Sequence, residues 1–216
     1  MEDIKTTNRI FYLAGGDGGR FGENKLLYPL TVDGVEKPMY RHVLDRTLDI
    51  LAAEAGYELY VVTCHQKIIK YVRGLEPELA TLHAVDSPDS PKGLSYTIRA
   101  GLAAAGETKP HVYDTFLVAD MPYLSEESLR DFMREVIASG RPMGCMAEYG
   151  CYKNPVMFQA LFEPELMKLT GDCGGKPVFM QHKNEAYVYE TAGELTDVDY
   201  KDDISEKLGS GSGCKQ

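Results

Sequence analysis

The densest set of residues able to do chemistry lies early in the chain. Residues 13–25 read Leu-Ala-Gly-Gly-Asp-Gly-Gly-Arg-Phe-Gly-Glu-Asn-Lys. Gly15, Gly16, Gly18, Gly19 and Gly22 remove side chains where a backbone turns tightly and approaches a ligand. Successive N–H groups in such a loop can converge on an anion. Arg20 adds a planar fork that matches phosphate oxygens, and Lys25 a compact positive charge. The loop is neither of the two commonest nucleotide loops. Starting from Gly16 and Gly18, a G-x-G-x-x-G pattern needs glycine where Phe21 stands. A P-loop ends in G-K-[ST], and this loop ends Asn24-Lys25-Leu26.

Two acidic positions complement the loop. Asp120 follows the apolar run Thr115–Ala119 and precedes Met121-Pro122. A carboxylate there is placed to hold Mg²⁺ together with triphosphate oxygens, although aspartate is also an ordinary turn former. In Asp197-Val198-Asp199, the alternation of an extended segment puts both carboxylates on one face. A solvated acidic cluster is the plainer reading of that segment.

These residues need elements to position them. Ile10–Leu13 reads as a strand that ends in the glycine loop, and 38–55 as a helix that starts at Pro38 and carries Met39, Val43, Leu44, Leu48 and Leu51 at helical spacing. Glu58–Thr63 and Thr81–Val85 read as strands, Ile68–Arg73 and Ser95–Ala105 as helices, and Thr115–Ala119 as a buried central strand. Ser125-Glu126-Glu127-Ser128 starts a further helix with a serine cap and early acidic residues. Met143–Ala147, Val156–Phe158 and Tyr187–Tyr189 follow as strands and Glu163–Leu169 as a helix. The alternation predicts an α/β fold, a doubly wound and mostly parallel sheet with helices on both faces. Ligands bind beyond the carboxyl ends of strands in such sheets, so the loop and Asp120 fall on one rim.

The 216 residues fit one domain, read over 1–207, followed by a flexible Gly/Ser tail over 208–216. With 23 Lys and Arg against 33 Asp and Glu, the formal charge is −10. That balance argues against nucleic acid as a partner, but not against small phosphorylated substrates in a locally positive pocket. The five cysteines form no C-x-x-C pair and read as reduced thiols. The polar N-terminus lacks a signal-type apolar core, and no apolar run reaches the roughly 18–20 residues needed to cross a bilayer. The expectation is a cytoplasmic protein without membrane association.

Read together, the motifs resemble the nucleotidyltransferases that activate molybdenum cofactor. Leu13–Lys25 is similar to their L-A-[AG]-G-x-[GS]-x-R-[MF]-G-x-x-K signature, and Gly93-Leu94-Ser95-Tyr96-Thr97-Ile98-Arg99-Ala100-Gly101-Leu102 to their G-L-S-x-S-[LI]-R-A-G-L segment. Val118–Pro122 resembles [LV]-x-D-[MQ]-P, Asn154–Phe158 resembles [HN]-P-V-x-F, Leu169–Gly175 resembles L-[ST]-G-D-x-G-[AG], and Asp197-Val198-Asp199 the start of the final D-[IV]-D-T-P-x-D, with Tyr200-Lys201 in place of Thr-Pro. The likeness spans about residues 9–203 and is to the cytidylyltransferase branch. It implies a nucleotide-diphospho-sugar transferase type of sheet and transfer of CMP from CTP to the terminal phosphate of molybdopterin cofactor, with release of pyrophosphate. It further implies catalytic Arg20, Lys25 and Asp120, and Mg²⁺ held by Asp120 and Asp199. Nucleotide contacts are implied at Leu13, Ala14, Gly15, Gly16, Gly18, Gly19, Gly93, Leu94 and Ser95, and an acceptor side at Asn154, Asp172 and Gly174. The implied partners are CTP or GTP, a molybdopterin-type phosphorylated acceptor, and a molybdenum hydroxylase or its chaperone. A guanylyltransferase, a sugar- or alditol-phosphate nucleotidyltransferase, and a non-catalytic nucleotide-binding module stay open as alternatives.

Overall fold

Strand β1 (Thr7–Leu13) is buried along almost its whole length, which only a strand covered on both faces can be. Alternate residues point to opposite faces, and the partners differ accordingly. The Tyr12 hydroxyl donates to the Tyr40 carbonyl at 2.6 Å on one side. On the other side, a Cβ on Gly101 would lie 2.8 Å from the Phe11 ring. Tyr40 belongs to helix α1 and Gly101 to helix α3, so the two helices sit on opposite faces of the sheet, as expected.

The computed structural model describes residues 7–16, 21–107, 111–200, 202 and 203. After β1 come a short hairpin, β2 (Pro29–Val32) and β3 (Val35–Pro38), then α1 (Met39–Ala53), β4 (Tyr57–Thr63), α2 (Gln66–Arg73), β5 (Leu82–Asp86), α3 (Leu94–Ala105) and β6 (Val112–Val118). The second half contains α4 (Glu126–Ser139), β7 (Met143–Glu148), β8 (Cys151–Gln159), α5 (Glu163–Leu166), α6 (Lys176–His182) and β9 (Ala186–Thr191). Seven strands form the central sheet in the order β5-β4-β1-β6-β8-β7-β9. All neighbours are parallel except β8, which runs antiparallel to both β6 and β7. The fold is therefore the expected α/β architecture with a mostly parallel sheet. The chain moves from β1 outward to β4 and β5, then returns to place β6 on the other side of β1. That reversal opens a crevice at the carboxyl ends of β1 and β6.

Local signals explain most boundaries. Ser125 caps α4, its hydroxyl oxygen accepting the Ser128 N–H at 3.1 Å, and Gly140 closes the helix at φ +65°. The 38–55 helix starts one residue later than its proline, at Met39. Three elements differ from the sequence reading. Asp33-Gly34, both at positive φ, makes the tight turn of the β2–β3 hairpin. Helix α5 ends at Leu166 rather than Leu169, and α6 was not expected. The hairpin packs a small second core of Phe21, Leu30, Val32, Met39 and Val198 beside the main one.

The expectation of five reduced thiols is corrected at Cys151, which is disulfide-bonded. Cys151 is half-buried at the start of β8, whereas the free Cys145 is wholly enclosed. Among the described residues no helix is long and apolar enough to cross a membrane. The Gly/Ser tail over 208–216 lies outside the described residues.

Candidate active site

The carboxyl ends of β1 and β6 are locked side by side, Leu13 in register with Val118. Past that point the Ala119 N–H donates to the Leu13 carbonyl at 3.1 Å, and the Ala14 N–H to the Val62 carbonyl at 2.9 Å. The Thr63 hydroxyl takes up the Ala14 carbonyl at 2.6 Å. Ala14 thus spends its backbone groups on the sheet and is buried. Gly15 follows it into a tight space, where a Cβ would meet Ser90 Cβ and Oγ at 2.5 Å and Thr97 Oγ1 at 2.7 Å. Gly16 then emerges at the surface.

A cavity of about 690 Å³ opens on this rim, within the size range of small-molecule sites. Its wall contains Leu13, Gly15, Gly16 and Lys25 from the loop, Gly93 and Leu94 at the start of α3, Asp120 after β6, and Asn154, Asp172 and Asp199 from later in the chain. Three expected contacts stand outside the wall. Ala14 is consumed by the sheet, Ser95 is wholly buried with its hydroxyl donating to the Gly171 carbonyl at 2.7 Å, and Gly174 packs against Leu94. Ser95 ties the start of α3 to the 171–172 turn. Arg20, Gly18 and Gly19 lie outside the described residues.

Lys25 is the electrostatic centre of the wall. Asn24 accepts the Leu26 N–H on its side-chain oxygen at 3.1 Å and so starts the short 3-10 turn Lys25–Leu27. Leu26 is buried, and the lysine side chain is directed inward. The Nζ donates to Asp120 Oδ2 at 2.7 Å and to Asp199 Oδ1 at 2.8 Å. Burial works against this ammonium, but the two carboxylates outweigh it and hold the pKa above the ordinary lysine value. It stays charged.

Asp199 reaches this place from far along the chain. The Val198 N–H donates to the Asp120 carbonyl at 2.9 Å, and the Val198 side chain is wholly buried in the second core. Burying Val198 puts Asp197 and Asp199 on one side, and both line the cavity. The Asp203 carboxylate accepts the N–H groups of Asp199 and Tyr200 at 2.8 and 2.7 Å and fixes the turn. Lys153 anchors the approach by donating to Glu148 Oε2 and to the Leu195 carbonyl, each at 2.9 Å.

Asp197, Ser90, Thr97 and Lys92 also line the cavity without having been assigned from sequence. Desolvation by the surrounding protein, then the charges of Asp120 and Asp199, push the Asp197 carboxyl up to about 7. Its outer side is open to solvent, and on its inner side the two neighbouring carboxylates add to the burial in disfavouring a third negative charge. Thr97 donates to Ser90 Oγ at 2.8 Å and Ser90 to Ser87 Oγ at 2.9 Å, a buried hydroxyl chain behind Gly15. The residues before α3 carry the signal for part of this, since Gly93 sits at φ +134° with space for no side chain. A Cβ there would lie 2.4 Å from the Gly171 carbonyl group. The contact brings the 171–172 turn onto the helix start, where the Leu94 N–H donates to Asp172 Oδ1 at 3.2 Å.

Among the described residues, no group of three or more His, Cys, Asp or Glu is gathered to hold a metal ion alone. Asp120 and Asp199, already bridged by one cation, form the two-carboxylate set that suits a hard divalent ion taking its other ligands from water and phosphate.

No curated protein matches this sequence. Among solved structures, Rv0371c of Mycobacterium tuberculosis H37Rv in complex with manganese aligns with a TM-score of 0.62 at 19% identity, over 96% of this chain and 100% of that one. A nucleotidyl transferase from Methanothermobacter thermautotrophicus aligns at 0.61 and 20% identity, over 94% and 98% of the two chains. The 4-diphosphocytidyl-2C-methyl-D-erythritol synthase of Anaerococcus prevotii aligns at 0.65 and 12% identity, over 94% and 95%. These likenesses establish the shared sheet architecture. Residues 10–186, most of the chain and the elements from within β1 through α6, match the MobA-like NTP transferase domain, and the chain belongs to that family of nucleotidyltransferases.

Proposed function

We propose that this protein transfers CMP from CTP to the terminal phosphate of molybdopterin cofactor and releases pyrophosphate. A terminal phosphate oxygen of the acceptor attacks the α-phosphorus of CTP, and the bond from that phosphorus to the bridging oxygen of the β-phosphate breaks. In such transfers the protein mainly positions the groups and offsets charge. The single observation that carries the reading is Lys25, its ammonium held between Asp120 and Asp199 on the wall of a cavity at the carboxyl ends of β1 and β6.

Each part of the wall has a task under this reading. The backbone at Gly15 and Gly16 faces the phosphates, and Arg20, with Gly18 and Gly19, extends that grip along the loop. Lys25 neutralises charge that develops at the α-phosphate. Asp120 and Asp199 hold a divalent cation, Mg²⁺ in the cell, which supplies charge neutralisation across the phosphates when bound. Gly93 and Leu94 border the nucleoside, and Asn154 and Asp172 border the acceptor. The manganese in the Rv0371c complex and the cytidyl group named for the Anaerococcus enzyme are properties of those proteins, and both agree with this assignment.

The test is pyrophosphate release by the full chain with magnesium and CTP, GTP or UTP in turn, with and without purified molybdopterin cofactor. Release with CTP that depends on the cofactor is the expected result. Release that depends on GTP, or on a sugar or alditol phosphate in place of the pterin, refutes the assignment of base or acceptor.

A further inference from the structure

We propose that His65 is a positioning residue that sets the separation between the phosphate-facing backbone at Gly15–Gly16 and the Lys25 ammonium. The inference rests on reading the cavity as a nucleoside triphosphate site, and it adds a residue that none of the motifs contains. His65 follows the end of β4 and precedes α2, on the same rim as the cavity. Its Nε2 lies 2.8 Å from the Gly16 carbonyl oxygen, which can only accept, so Nε2 carries the proton. Its Nδ1 lies 3.1 Å from Asn24 Nδ2. The Asn24 side-chain oxygen already accepts the Leu26 N–H, so the amide presents its NH₂ to the ring and Nδ1 accepts. One neutral tautomer satisfies both bonds.

The imidazole therefore joins the residue where the backbone emerges into the cavity to the residue directly before Lys25. Its own place is fixed from behind. The His65 N–H donates to Thr63 Oγ1 at 3.1 Å, and that hydroxyl donates to the Ala14 carbonyl. Gly16 belongs to the wall and Asn24 leads into Lys25, so one hydrogen bond of the imidazole ends on the wall and the other one residue away from it. His65 is not part of the wall itself. It touches no reacting atom and acts through Gly16 and Asn24. Holding phosphate donors at a fixed separation spares the ligand the cost of ordering them, and the gain falls on the triphosphate rather than on the nucleoside.

Calorimetric titration of the full chain with CTP in magnesium, and separately with CMP, tests this. His65→Ala is expected to weaken CTP binding about tenfold, the scale set by losing two hydrogen bonds, to leave CMP binding unchanged, and to lower the melting temperature by no more than about 2–4 °C. His65→Gln keeps a donor near the Nε2 position and is expected to fall between Ala and the native residue. The His65→Ala and Asn24→Ala losses are expected to be less than multiplicative, because both break the same link. Unchanged CTP affinity in His65→Ala, equal losses for CTP and CMP, or a Gln variant as weak as the Ala variant overturns the inference. Absence of binding of CTP, GTP and UTP to the native protein overturns the reading of the site itself, and the inference with it.

Discussion

Replacing Lys25 by methionine keeps the buried stem and removes only the ammonium, and it should move two measured quantities in opposite directions. The nitrogen lies 2.7 Å from one carboxylate oxygen and 2.8 Å from the other. A cation entering between Asp120 and Asp199 must compete with it. Two unit charges about 4 Å apart interact by about 1 kcal/mol in water and about 4 kcal/mol at an effective dielectric of 20. The Lys25 and Asp120 side chains are 10% and 23% exposed, while Asp199 is 43% exposed and its share is strongly screened. A net competition of about 2 kcal/mol follows, roughly thirtyfold in an equilibrium constant. Lys25→Met should therefore bind Mn²⁺ alone roughly 10- to 30-fold more tightly, as read by electron paramagnetic resonance of free Mn²⁺. The same variant should lose roughly 10²- to 10³-fold in turnover, the cost of deleting one charge aimed at the transition state, with little change in the KM for CTP. Misfolding would weaken both properties together. Weaker Mn²⁺ binding would refute the shared cation position, and unchanged turnover with only weaker CTP binding would remove Lys25 from the chemical step.

Three further outcomes are expected. Asp120→Ala should abolish magnesium-dependent pyrophosphate release while circular dichroism and melting stay near native, and near-normal turnover sinks the metal assignment. Gly93→Ala forces a Cβ into the Gly171 carbonyl group at φ +134°, so it should cost about 2–4 kcal/mol in urea unfolding, whereas Gly16→Ala, with nothing within 4 Å, should change stability little. Equal effects would refute the close-approach argument. Asp197 has a folded pKa of about 7 against an ordinary 3.8. Between those values the folded protein holds more protons than the unfolded chain, so stability falls as pH rises through that window. In EDTA, Asp197→Asn should therefore melt above the native protein at pH 8 and close to it near pH 4, and a difference independent of pH refutes the crowding.

The legible parts of this fold were those where one local signal decides the outcome. The runs Ile10–Leu13 and Thr115–Val118 are apolar without alternation, and both became strands covered on each face. Ser125 followed by two glutamates announced α4 and caps it as such a residue should. The direction of β8 was not legible, because Val156–Phe158 records burial and says nothing about which way a strand runs. The β2–β3 hairpin carried a readable Asp33-Gly34 turn, but β3 is mostly exposed and shows no alternation to mark it as a strand. Gly15, Gly16, Lys25 and Asp120 line one cavity because sheet topology brings residues next to strand ends to one rim. The structural bond of Ser95 was not legible, because a polar residue at a helix start serves the helix and its neighbouring turn as readily as a ligand. His65 could not be found at all, its partners being 49 and 41 residues away and joined to it only by tertiary structure.

The site divides into two parts that differ in how firmly they are held. Asp120 and the loop leave β6 and β1, which are hydrogen-bonded neighbours along seven pairs of residues, so their separation is set by the sheet. Lys25 borrows that rigidity through the buried Leu26 and the Asn24 cap. Asp199 has no strand beneath it. One main-chain bond from Val198 to Asp120, the burial of Val198 and the Asp203 turn keep it in place. It also lies beyond residues 10–186, the part that matches the family. The lysine bridge is then more than a charge awaiting phosphate. It ties the less firmly held carboxylate to the rigid one, and under the proposed function a nucleotide that draws Lys25 toward its phosphates would free both carboxylates for a divalent cation. The proposed function then predicts that nucleotide and cation bind with positive coupling, each raising the affinity for the other.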